Sequence, residues 1–127
     1  MSGDTVQSGA LRTNTGITVI EHCHTAHGFL GRFLGLMGRA GLDPDEGLWL
    51  EPCGSIHMFF MRFPLDVAFL DREGQVLRLL HGIRPWRAAL PVRHARVAVE
   101  MTAGTLARQG VEVGMRLHLG STGAGVD

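Results

Sequence analysis

The chain has 127 residues, 45% of them hydrophobic, and its twelve basic residues balance twelve acidic ones for a formal charge of zero. That length supports one hydrophobic core and not two, and neutrality removes the long-range field that would steer the protein towards nucleic acid or an anionic membrane. Every basic residue is an arginine, and the absence of lysine excludes Schiff-base chemistry and a lysine general base.

Residues 1–16 are polar and lack the charged start and apolar run of a secretory signal. They are expected to be a flexible N-terminal segment, as is the tail 121–127, flanking a single domain over 17–120. Gly16 to His22, GITVIEH, carries β-branched residues and reads as a strand. From Phe29 to Met37 the apolar residues take a helical period, which predicts one main helix near residues 26–38 with Thr25 as its N-cap. Gly28, Gly31, Gly35 and Gly38 cluster on the opposite side, and each glycine inside a helix costs about 1 kcal/mol relative to alanine.

After a loop over 40–47, GLWLEP and HMFFM read as strands. LDVAFL and QVLRLLHGI form a predicted hairpin across Asp71, Arg72, Glu73 and Gly74. ARVAVEM is a further strand, a short helix near residues 103–109 is closed by Gly110, and MRLHL is the last strand. Many short strands with one main helix predict an α+β fold, a mostly antiparallel sheet curled towards a small barrel. Cys23 and Cys53 are too few for a disulfide scaffold, so reduced thiols in the cytoplasm are the simplest expectation. No apolar run approaches the roughly 20 residues needed to span a bilayer.

The motifs GLMGR at Gly35 to Arg39, DEGLWL at Asp45 to Leu50, IHMFFMRFPLDVAFLD at Ile56 to Asp71 and EMTAG at Glu100 to Gly104 occur in that order. With VEVGMRL after them, the chain over about residues 17–119 resembles the domain-of-unknown-function family 192, small β-rich domains of bacteria and archaea. The resemblance implies a fold. It implies no activity, cofactor or catalytic residue, and RPWR at Arg84 to Arg87 is similar to the version in members without an export signal.

Four constellations invite chemistry. Cys53, His57 and Met61 carry the soft thiolate, imidazole and thioether that copper prefers, with His22 or His24 as a second imidazole, and zinc is the other metal such residues could hold. Cys53 and Met61 would lie too far apart to share an ion if HMFFM is extended, since four residues of strand span about 13 Å. Cys53 on a Gly54–Ser55 turn, with His57 as base, has the makings of a hydrolase or transferase nucleophile. Asp66 shares a strand face with Ala68 and Leu70 and so needs a partner, with Arg62, His57 or loop N–H groups available. Arg78, Arg84, Arg87, Arg93 and Arg96, with His81, His94 and Trp86, occupy a stretch from Gln75 to Val99 that holds no acidic residue. Such a stretch suits phosphate, carboxylate or single-stranded nucleic acid through forked hydrogen bonds and stacking.

The sequence therefore predicts a small soluble domain, needing no cofactor and touching no membrane, that binds a small anionic ligand or a protein partner. Its site residues are Cys53, His57, Arg62, Asp66, Arg84, Trp86 and Arg87, and neutral charge disfavours nucleic acid. A metal site at Cys53, His57 and Met61 and a cysteine-dependent enzyme are the rival readings.

Overall fold

The structure, a computed structural model, describes residues 7–26, 42–51, 56–57, 63–84, 88–89 and 91–120. In chain order the elements are β1 Gln7–Thr13, β2 Thr18–Ala26, β3 Glu46–Leu50, β4 Ile56–His57, β5 Leu65–Leu70, β6 Val76–Ile83, β7 Ala88–Ala89, β8 Val97–Thr102, α1 Thr105–Arg108 and β9 Leu117–Leu119. Seven strands form one sheet in the order β6-β5-β8-β3-β2-β1-β9, and β4 and β7 form a separate two-stranded ladder. Every neighbouring pair is antiparallel except β2 and β3.

The β5 sequence LDVAFL is buried at every position, and its alternate residues serve two cores. Leu65, Val67 and Phe69 join Leu42, Leu50 and Ala98 on one face. Ala68 and Leu70 turn the other way, onto a larger core with Leu11, Ile20, Val76, Met101, Leu106 and Leu117. Residues from both edge strands reach that larger core, so the sheet curls around it. The curl does not close into the predicted barrel. The edges β6 and β9 meet at one end only, through a single antiparallel bridge between Gln75 and Arg116. There the Leu117 N–H donates to the Gly74 carbonyl at 2.9 Å and the Val76 N–H to the Met115 carbonyl at 2.7 Å.

Three further expectations change. The residues 7–13, placed by composition in a loose N-terminal segment, form β1 and pair with both β2 and β9. Leu11, which is fully buried, is the reason the segment is held: one large apolar side chain anchors an otherwise polar strand. Thr25, expected to cap the main helix, is a strand residue opposite Trp49, and Ala26 is opposite Leu50. The remainder of that helix lies outside the described residues. The short helix is present, reduced to the four residues of α1.

Candidate functional site

Asp66 is fully buried and is held from three sides. Its Oδ1 accepts the Gly82 N–H at 2.8 Å, and its Oδ2 accepts the N–H groups of Gly104 and Leu106, each at 3.0 Å. The arrangement follows from local backbone geometry. β5 and β6 slip in register between Leu65–Ile83 and Val67–Leu80, which leaves a bulge at His81 and Gly82 opposite Asp66. Gly82 takes a left-handed φ of 63°, a conformation that glycine adopts without steric cost and that turns its N–H inward.

Gly104 is the N-cap of α1, with φ 96°, and has no side chain to accept the first free N–H groups of the helix. Asp66 supplies that acceptor from a strand distant in sequence. This carboxylate therefore fastens β5, β6 and α1 together through three backbone N–H groups. Of the partners expected for it, loop N–H groups are the ones used.

Arg84 is exposed, immediately after the Ile83 that pairs with Leu65. The Arg96 N–H, by contrast, donates to the Leu70 carbonyl at 2.8 Å. The two arginines thus flank opposite ends of β5, about 17 Å apart along a strand of that length. Arg78 and His81 are exposed on β6 between them. Among the described residues the basic stretch is consequently spread along β5 and β6 and does not form one patch.

Between these ends the chain forms β7, which pairs with β4 so that Ile56 lies opposite Ala89 and His57 opposite Ala88. The two segments singled out by sequence therefore meet at backbone level. Cys53, Met61, Arg62, Trp86 and Arg87 lie outside the described residues. His57 sits in extended backbone as the second residue of β4.

His22 and His24, the proposed additional metal ligands, each face a carboxylate: His22 Nε2 lies 3.9 Å from Asp45 Oδ2, and His24 Nε2 lies 3.6 Å from Glu46 Oε2. Among the described residues no group of three His, Cys, Asp or Glu side chains could hold a metal ion. Cys23 is fully buried, and desolvation pushes its thiol up to about 12, so it is no nucleophile near neutral pH.

Sequence reasoning also missed a small polar network. Trp49 Nε1 donates to Glu51 Oε1 at 3.0 Å, while Glu51 Oε2 lies 3.6 Å from Arg96 Nε. Nothing in the spacing of Trp49, Glu51 and Arg96 signals this, because it depends on β3 lying next to β8.

Residues 10–119 match the model of the DUF192 family, described as Uncharacterized ACR. The UPF0127 protein of Pyrococcus furiosus is 39% identical over 99 residues, covering 73% of this chain and 82% of that protein. A UPF0127 protein of Thermococcus sibiricus is 40% identical over 94 residues, and the match spans 58% of its length. Among solved structures, a Sinorhizobium meliloti protein provisionally described as a transcription regulator superposes with a TM-score of 0.73 at 25% identity, covering 94% of this chain and 97% of that one. A protein of unknown function from Novosphingobium aromaticivorans gives the same TM-score at 21% identity, over 89% and 84% of the two chains. The chain belongs to the DUF192 family.

Proposed function

We propose that this domain is a cytoplasmic binding module for a small anionic ligand, or for an acidic group on a protein partner, where the Cys53–His57 segment meets the Arg84–Ala89 segment. The observation that carries the reading is the β4–β7 ladder, which joins His57 to Ala88 and brings a histidine-bearing strand against a chain segment containing Arg84 and Arg87. Arg84, exposed four residues before Ala88 in the sequence, offers a planar, permanently charged fork that suits carboxylate or phosphate. The provisional description of the Sinorhizobium meliloti neighbour brings nucleic acid into consideration. Formal neutrality and the spreading of arginines along one edge favour the small anion.

Calorimetry with inorganic phosphate, acetate and citrate tests the reading. Binding that weakens as salt rises, and that falls at least ~10-fold in Arg84→Ala, is expected. No heat with any of the three would overturn it. Stoichiometric copper or zinc, lost in Cys53→Ala, would instead select the metal reading.

A further inference from the structure

At the opposite end of β5 the structure holds a second concentration of charge. Asp71, Arg72 and Glu73 of the β5–β6 turn, with His94 and Arg96 from the loop before β8, line an open cleft of about 420 Å³. The two loops are joined at its base, where the Arg96 N–H donates to the Leu70 carbonyl.

Three observations distinguish this cleft from an ordinary charged surface. First, its opposite charges do not pair with one another: among the described residues Arg72, Glu73 and His94 have no ion-pair partner, and Arg96 reaches away to Glu51. Second, the acidic side of the turn is fixed in place. Asp71 Oδ1 accepts the N–H groups of Glu73 and Gln75, both at 2.9 Å, which leaves its Oδ2 and the Glu73 carboxylate without a described partner.

Third, His94 has a φ of 67° and is the one described residue other than glycine in the left-handed region. A side chain there is strained, and such strain persists where the surroundings impose it. Two hydrogen bonds do so: the Ala95 N–H donates across it to the Val92 carbonyl at 3.1 Å, and the Arg96 N–H just after it is tied to Leu70. Glycine would relieve the strain, yet the chain holds a histidine at the rim of the cleft.

We propose that this cleft recognises a small zwitterion that carries both a carboxylate and an ammonium group, of the free amino-acid type. Arg72, His94 and Arg96 supply donors for the carboxylate. Asp71 Oδ2 and Glu73 supply acceptors for the ammonium. A purely anionic ligand would meet the two acidic groups, and a purely cationic one the two arginines, so only a ligand bearing both signs satisfies the whole lining. The site is separate from that at β4 and β7 and does not depend on it.

Titration of the full-length chain with free glycine, followed by NMR at the signals of His94 and Arg72, tests the assignment. Saturable shifts at millimolar concentration are expected, as befits a ligand of few atoms in an open site. Acetate alone and methylammonium alone should each need at least ~10-fold higher concentration. Arg72→Ala and His94→Gly should each weaken glycine binding by ~10-fold or more, while Arg78→Ala, on the exposed middle of β6, leaves it unchanged. His94→Gly should at the same time raise the thermal midpoint, a sign that its folding is intact. The proposal is overturned by the absence of a saturable shift, by acetate binding as tightly as glycine, or by both variants binding like the wild type.

Discussion

The two ends of β5 use charge in opposite ways. At one end Asp66 is buried and every strong contact it makes is to the backbone of its own chain. At the other, Asp71, Arg72, Glu73, His94 and Arg96 stand around an open cleft with opposite charges unpaired across it. A buried carboxylate draws notice in a sequence because a lone buried charge is costly. Here that cost is offset by three N–H groups which would themselves be unsatisfied without it. The lesson is that burial marks Asp66 as part of the fold, whereas lack of pairing marks the other end as the place where a ligand has something to contribute.

The comparison breaks most sharply at Asp66. Removing its carboxylate in Asp66→Ala strands the buried Leu106 N–H and the part-buried contacts of Gly82 and Gly104, so a loss of about 3 kcal/mol is expected from urea unfolding. Asp66→Asn keeps one acceptor but turns an NH2 towards an N–H, and about half that loss should follow. A loss below ~1 kcal/mol in the alanine variant would mean that the donors find other partners. Asp66 would then be a fold contact of small energetic weight, with its carboxylate free to serve a ligand.

The fold was legible wherever a strand carried its own pattern. LDVAFL reads as a buried strand from six residues alone, and the structure places β5 over those residues. β1 was not legible, because Gln7–Thr13 contains a single large apolar residue, Leu11, and owes its order to partners at His24 and His118 far along the chain. The site was legible in part. The need of Asp66 for a partner follows from alternation along a strand, but its identity as a remote cap for α1 requires Gly104, 38 residues away, to be brought beside it. His94 was legible as part of a basic stretch, but its left-handed backbone was not, since that conformation is set by hydrogen bonds that exist only in the folded chain.

A second buried group sharpens the same contrast and does so through pH. The Cys23 thiol is raised by burial from its ordinary 9.0 to about 12. Above pH 9 the unfolded chain releases this proton while the folded chain retains it. Because the folded state then binds more protons, stability falls as pH rises, by up to ~1.4 kcal/mol per pH unit until the folded thiol titrates. A loss of about 2 kcal/mol near pH 10.5 is expected from denaturant curves at several pH values, and Cys23→Ala should flatten the slope. The chain contains neither lysine nor tyrosine, so few other groups obscure this window. An unchanged slope in the variant would move the effect to Cys53.

A smaller effect separates the conformation of the Asp66 contact from its chemistry. Gly82 has φ 63°, but a Cβ built on it meets nothing within 4 Å. Gly82→Ala therefore tests backbone strain alone and should cost about 1 kcal/mol, with the three N–H contacts of Asp66 retained in amide exchange. A loss as large as that of Asp66→Ala would show that the bulge cannot tolerate a side chain.

The smallest structural effect belongs to Arg96, and its smallness is what makes it informative. Arg96 and Glu51 are 50% and 39% exposed, and their 3.6 Å contact is a surface pair whose net contribution is a few tenths of a kcal/mol, about 0.5 at most. Trp49 retains its bond to Glu51 when the guanidinium is removed. Arg96→Ala should therefore unfold at nearly the same urea concentration as the wild type while binding free glycine at least ~10-fold more weakly. A stability loss above ~1.5 kcal/mol would mean that Arg96 holds the two loops together, and the open end of β5 would then resemble the closed one. Unchanged stability with lost binding would establish the opposite: a cationic side chain whose backbone the fold anchors at Leu70 but whose charge the fold does not need.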